Sequence, residues 1–267
     1  MPPEINTNVP QSARVYDYWL GGKDHFPADR AMGEAIAEAL PTIRTQVRGQ
    51  RAFLGRAVRY LARDAGMRQF LDVGTGIPSA GNVHDVAQEI APESRAVYVL
   101  FDPVMLVYAH RLLHGSAEGA TAHLQGRLDE VDEILGTAAT TIDLSQPVAV
   151  VMQGNLAFVR SPIKAAAIVD RFMDPLAVGS HLVVTHHASD LLVDEVAPVY
   201  RRMSDLAAEG RGWEIAPRSE AEVAAFFARL DLVEPGIVPI ERWRPEGDTP
   251  EPIRVAFHAA VGRKGDR

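Results

Sequence analysis

The stretch FLDVGTGIPSAGN, residues 70–82, decides the fold. Phe70, Leu71 and Val73 with one carboxylate, Asp72, suit a strand buried in a sheet. Gly74 and Gly76 follow at once, and glycine accepts positive φ at little cost and lets a ligand approach the backbone closely. A helical pattern then runs to residue 90. Strand, glycine turn and helix together aim the helix amides at a crevice on the carboxyl edge of a parallel sheet. A G-x-G pair alone is a weak signal, since glycine turns also serve packing. Its flanking strand and helix make it a candidate small-molecule crevice. Asp72 either accepts from a ligand there or caps its own turn.

Outward from this stretch the chain keeps the same rhythm. Short apolar runs at 96–100, 122–125, 147–152 and 181–186 alternate with helical patterns at 103–113, 130–135 and 162–173. Runs that are apolar on both faces and alternate with helices predict a parallel sheet covered on both sides. Helices are expected between 190 and 209 and over 219–230, followed by two extended segments, 232–240 and 253–263, that pair like a hairpin. Before the sheet, residues 1–66 read as helical: 12–20 with Ser12 as N-cap and Gly21-Gly22 as stop, then 28–40 and 42–66. The predicted organisation is a helical N-terminal segment, 1–66, and an α/β domain, 67–267.

The composition narrows the function. With 267 residues, 47% of them hydrophobic, the chain can bury a full core. A net charge of -8 argues against a general nucleic-acid or membrane-surface binder. Without cysteine there is no disulfide, thiolate metal site or cysteine nucleophile. The nine histidines form no metal-binding spacing, so no metal is expected. The chain has no apolar run of about 18 residues and no leader pattern, and a cytoplasmic protein acting on a small molecule is expected.

Four stretches make the reading specific: ARVYDYWLGGKDHFPADR (13–30), RQFLDVGTGIPSAGNVHDVAQ (68–88), FDPVMLVYAHRLL (101–113) and LVEPGIVPIERWRPE (232–246). Together they resemble the actinobacterial S-adenosylmethionine-dependent methyltransferase family, formerly a domain of unknown function, with its Y-D-Y-x-L-G-G-K-D start. The resemblance runs from Ser12 to Lys264. It implies a class I, Rossmann-like methyltransferase sheet, mostly parallel with an antiparallel last strand, and a helical N-terminal lid over the cofactor crevice. The family pattern is matched at Tyr16, Tyr18, Gly21, Gly22, Lys23, Asp24, Asp72, Gly74, Gly76, Pro78, Gly81, Asn82, Asp102 and Pro103.

Three departures cluster around the implied cofactor. The family's V-Y-V-D-N-D-P becomes VYVLFDP, so Leu100 stands where an acid is expected to hold the ribose, and Phe101 follows it. The family's Q-A-D, whose acid would accept from the adenine amino group, becomes Gln125-Gly126-Arg127. Its V-L-H-F becomes Asn155-Leu156-Ala157-Phe158, which removes a histidine expected at the reacting centre. An unpaired ribose hydroxyl and a lost adenine acceptor cost together about 3–6 kcal/mol, a hundredfold or more in affinity. Asp102 or Asp129 could replace the missing acid. The expected cofactor is therefore S-adenosylmethionine, with weak, rearranged or absent binding, and Leu100 and Phe101 are expected to make one wall of the pocket apolar.

The candidate site follows from these residues. Asp72, Gly74, Gly76, Leu100, Asp102, Arg127 and Asn155 surround the cofactor position, and Arg127 could instead hold an anionic substrate. Tyr16, Lys23 and Asp24 are candidates to hold substrate, against the plainer reading of a helix end packed on the sheet. Tyr18, His25 and His186 are the candidate acids and bases. His186 and His187 end a strand on the ligand-binding edge, and only one of two successive strand residues reaches the site. Three functions remain open: methyl transfer to a small metabolite, a repurposed step such as cyclisation, elimination or isomerisation in specialised metabolism, and a non-catalytic binding or partner subunit. Composition says nothing of oligomeric state.

Overall fold

The computed structural model describes residues 6–77, 81–247 and 254–266. Pro78 and the expected helix start at residue 80 lie outside the described residues. Strands β1 (Gln69–Val73), β2 (Arg95–Leu100), β3 (Ala120–Gln125), β4 (Ala149–Gln153) and β5 (His181–His187) pair in parallel in the order β3-β2-β1-β4-β5. The short β6 (Asp231–Leu232) and β7 (Val238–Pro239) both pair with β8 (Phe257–Arg263), which runs antiparallel beside β5. This is the α/β sheet read from the sequence, with its antiparallel strand inserted next to β5. The expected strand start at residue 253 lies outside the described residues, and β8 begins at Phe257.

Side-chain alternation along each strand fills two separate cores. Phe70, Tyr98, Leu100, Val151 and Val183 face α3 (Ile43–Arg63) and α4 (Val83–Ile90), whose Phe53, Leu54, Val58, Leu61 and Val86 complete one buried cluster. Leu71, Val73, Val97, Val99, Val150 and Met152 face the other way, against α6 (Val131–Ala138), α7 (Pro162–Met173) and Phe226 and Phe227. Each such side chain contributes about 1.5–3 kcal/mol by leaving water. Because α3 shares a core with β1, β2 and β4, the N-terminal segment is joined to the sheet by packing as well as by sequence.

A third cluster joins α1 (Ser12–Leu20), α2 (Pro27–Ala39) and the start of α3 to α8 (Val193–Ala208), through Val15, Trp19, Ile36, Val47, Val199 and Met203. Here the structure corrects one local expectation. Gln11, not Ser12, caps α1, and it does so without a side-chain bond. Its backbone amide is satisfied by Asp29 Oδ1 at 2.9 Å, and Asp29 Oδ2 accepts from Phe26 N at 2.8 Å. The same buried carboxylate lies 2.9 Å from Arg14 Nε, an ion pair rather than an aligned hydrogen bond, with both side chains almost fully enclosed. Asp29 thus ties the entry of α1 to the entry of α2. The expected Gly21 stop holds, in the left-handed region at φ 84°.

An enclosed charge left without its partner is costly. Asp29→Ala should therefore lower stability by about 3–5 kcal/mol in urea unfolding, and Arg14→Met with Asp29→Leu should cost less, because no charge is then stranded.

Candidate functional site

A cavity of about 450 Å³ opens where β1, β2, β4 and β5 end. Each strand end contributes to it: Asp72, Gly74 and Gly76 after β1, Phe101 and Asp102 after β2, Gln153 and Asn155 after β4, and His187 on β5. α1 and α3 cover it with Ala13, Arg14, Tyr16, Gln50 and Arg51.

The glycine turn sets the floor. Gly74 has φ 78° and Gly76 φ 75°, in the region that favours glycine. A Cβ on Gly74 would sit 2.8 Å from both Asn155 Nδ2 and a ring carbon of Phe101, so three strand ends meet over one missing methyl group. Asn155 is buried. Its amide nitrogen donates to the carbonyl of Val73, and its Oδ1 has no partner among the described residues. A buried acceptor without a donor in a cavity wall implies a donor on the ligand.

Asp72 lies in the same wall. Burial pushes its carboxyl up to about 7, opposed chiefly by the Arg51 guanidinium. Behind it, Tyr98 on the neighbouring strand takes the backbone N–H of His84 at 2.9 Å and meets His84 Nδ1 at 2.7 Å. Tyr16 donates to the Val47 carbonyl at 3.1 Å, and burial raises its phenol above the ordinary range against the pull of Arg51.

Several expected residues stand elsewhere. Leu100 is 1% exposed and packs in the core, so the apolar wall at this edge is built by Phe101 and Met105 without it. The strand's alternation points residue 100 into the sheet face that α3 and α4 cover. Arg127 lies on the surface, 3.3 Å from Asp129 and 3.9 Å from Glu130, away from the cavity. Asp129 is spent on that pair, whereas Asp102 lines the cavity. Ala157 packs with α1 and α8, so the position where a histidine was expected does not face the cavity here.

The signature loop is a structural knot. Asp17 Oδ2 accepts from Asp24 N at 2.9 Å and stands 3.1 Å from His25 Nδ1, and a Cβ on Gly22 would collide with the Asp17 carboxylate. Tyr18 packs edge-on to His25 with ring centres 5.1 Å apart and takes a bond from Arg44 at 3.2 Å. Lys23 is exposed, and Asp24 bonds the hydroxyl of Tyr108 on α5 (Pro103–Leu112). None of Tyr18, Lys23, Asp24 or His25 lines the cavity; of this group only Tyr16 does. His186 likewise points to the opposite face, held 2.7 Å from the buried Arg218. Its neighbour His187 takes the cavity position, as alternation along the strand requires.

Sequence reading missed Arg51, Gln50 and Gln153, and of the pair His186 and His187 it chose the wrong member. A usable signal existed for Gln50. Gln46 and Gln50 recur at helical spacing with Leu54 on the face of α3 that packs inward, and buried glutamines at such positions call for a polar partner.

The comparisons with known proteins agree with this architecture. Residues 1–265 match the family described as S-adenosyl methyltransferase. The chain belongs to this family. A solved DUF574 family protein from Streptomyces avermitilis MA-4680 is 39% identical over 98% of this chain and 100% of its own, with a TM-score of 0.91. A protein of Thermobifida fusca YX assigned as a methyltransferase is 34% identical, covers 99% of this chain and 98% of its own, and has a TM-score of 0.89. At 14% identity and a TM-score of 0.50, a S-adenosylmethionine-dependent methyltransferase of Methanosarcina mazei, aligned over 74% of this chain and 94% of its own, shares the fold. No curated protein matches the sequence. Among the described residues no helix is long and apolar enough to cross a membrane.

The Asp72 carboxyl gives this family member a testable pH response. Its folded value, about 7, stands above the ordinary 3.8, so the folded chain holds a proton that the unfolded chain has lost. That contribution to stability is fully present below about pH 4 and is lost as pH rises through about 7. Asp72→Asn removes the titration. Its melting temperature relative to the parent should rise between about pH 5 and about pH 8 in paired thermal unfolding.

Proposed function

We propose that this chain transfers a methyl group from S-adenosylmethionine to a small metabolite held in the same cavity, with Asp102 in place of the absent acid at position 100 as the ribose acceptor. The observation that carries this is the unpartnered Oδ1 of buried Asn155 beside the glycine turn. An amino-acid end fits that floor: its ammonium group satisfies Asn155 Oδ1 and the Asp72 carboxylate, and its carboxylate faces Arg51. When bound, the cofactor supplies an electrophilic methyl group on a sulfonium sulfur. The protein's part is to hold donor and acceptor in line and to keep water out, which α1 and α3 do by covering the cavity.

Phe101 favours a second reading. Its ring rests on Gly74 where the family presents a polar residue, which supports a cofactor site that is weakened or rearranged and a chain that catalyses a step other than methylation. Calorimetric titration with S-adenosylhomocysteine separates the two. Methyl transfer expects a dissociation constant on the order of micromolar, weakened about tenfold by Asp102→Asn. No heat and no thermal shift at about millimolar nucleoside overturns the methyl-transfer reading. Leu100→Asp, which restores the family acid in sequence, should not tighten binding. It places a carboxylate in an apolar core and should cost about 3 kcal/mol or more of stability, read by urea unfolding.

A further inference from the structure

The short 3-10 turn Asn155–Phe158, which brings Asn155 and Phe158 to the cavity, is held from behind. Residues 216–218, distant in sequence, run beside it. The amide of Ala216 donates to the Ala157 carbonyl at 2.7 Å. Arg218 Nη1 donates to the Leu156 carbonyl at 3.1 Å and Nη2 to the Val159 carbonyl at 2.6 Å, so one guanidinium spans the turn and its C-cap. The backbone of Arg218 bonds the end of β5: its amide donates to the His187 carbonyl at 2.9 Å, and its carbonyl accepts from Ser189 N at 3.0 Å. A single residue therefore ties the turn after β4 to the end of β5, and both carry residues that line the cavity.

That guanidinium is buried without a counter-charge. Arg218 is 2% exposed, and among the described residues its side-chain acceptors are the two carbonyls and His186 Nε2 at 2.7 Å. Glu222 acts on it from beyond ion-pair distance, with its own carboxylate committed to the Ser219 amide and hydroxyl. Burial accordingly pulls the guanidinium below the usual arginine value. An enclosed charge without a counter-charge lowers stability relative to an apolar side chain of similar size, so net stability does not account for Arg218. What it supplies is direction, because a planar fork of fixed geometry sets two carbonyls at once. His186 aims the fork. Its Nδ1 lies 3.0 Å from the His187 carbonyl, which can only accept, so Nδ1 carries the proton and Nε2 is left as the acceptor for Arg218. Burial, aided by Arg218 and opposed by that carbonyl, lowers the imidazole to about 4, and the neutral form holds at ordinary pH.

We infer that Arg218, aimed by His186, is a positioning residue of the cavity: it holds the turn after β4 so that Asn155 meets the Val73 carbonyl and stays in the cavity wall. Neither Arg218 nor His186 lines the cavity, so both act through the turn and not on the ligand. A binding wall keeps its geometry only where the residues behind it are themselves locked, and here the lock is a set of buried carbonyl bonds. Without the fork the Leu156 carbonyl keeps only its bond from Val159 N, and the Val159 carbonyl loses its buried donor. As a determinant of S-adenosylmethionine affinity this role rests on the methyl-transfer reading; as the brace of Asn155 it stands on the hydrogen bonds alone.

The test reads the brace and the ligand separately. Full-length protein labelled with nitrogen-15 at asparagine, free of ligand, reports the Asn155 side-chain amide, assigned by its loss in Asn155→Ala. Arg218→Met keeps a stem of similar length and removes the fork. It should move the Asn155 signals toward those of an unbonded amide and weaken S-adenosylhomocysteine about tenfold in calorimetric titration well below the melting transition. In an Asn155→Ala background the same change should alter affinity by less than about twofold, since Arg218 acts through that turn. His186→Phe, which removes the aiming acceptor, should weaken the ligand about threefold, and His186→Gln, which keeps one, should recover part of the loss. Unmoved Asn155 signals or unchanged affinity in a folded Arg218→Met overturns the positioning role, as does a full loss of affinity that persists in Asn155→Ala. If the methionine variant does not fold, Arg218→Lys, which keeps the charge and can reach only one carbonyl, is judged by the same two measurements. Asn155 signals that move while the parent protein binds no S-adenosylhomocysteine support the brace and overturn the methyl-transfer reading alone.

Discussion

The absence of one side chain, at Gly74, is the constraint on which the site depends. The backbone turns there at φ 78°, and the space of a methyl group is taken by Asn155 from the β4 end and Phe101 from the β2 end. Three strand ends can converge only because nothing projects between them. The amide nitrogen of Asn155 then donates to the Val73 carbonyl, which pins the β4 end to the β1 end and leaves its buried oxygen without a partner among the described residues. Any larger residue would pay in backbone strain and collision together.

The cover of the cavity depends on a different device. α1 contributes Ala13, Arg14 and Tyr16 to the roof, yet α1 alone is too short to be stable. It is held by the buried pair of Arg14 and Asp29, by the knot around Asp17, and by apolar packing of Val15 and Trp19 against α2, α3 and α8. The residues that make the N-terminal signature distinctive therefore build the roof rather than furnish its inner surface. Tyr16 does both.

Electrostatics divide the interior. Desolvation raises the Asp72 carboxyl and lowers the His187 imidazole, so both groups are driven toward their neutral forms. At Asp72 the Arg51 guanidinium opposes that drift, whereas at His187 the neighbouring His186 reinforces it.

Hydrophobic rhythm was enough to predict the parallel strands, their helices and the position of the crevice, because two-sided burial and the glycine turn leave marks within a few residues of chain. The N-terminal motif was legible as a family signature, while the use of its residues was not. Tyr18, Lys23, Asp24 and His25 read as a reactive cluster because they are close in sequence, but hydrogen bonds to Asp17 and the packing of Arg44 turn them away from the cavity. Strand parity stated that only one of His186 and His187 could face the ligand edge; which one depended on the register of β5 against β4 and β8. Leu100 and Arg127 were misplaced for a related reason, since a residue number near a strand end does not say which way its side chain points. The sequence by itself determined the sheet, the glycine turn and the family, all of which follow from local pattern. The tertiary structure alone decided that Gln50 and Arg51 of α3, Asn155 after β4 and His187 of β5 share one cavity, because distance between strand ends and the burial that shifts charge exist only once the chain has packed.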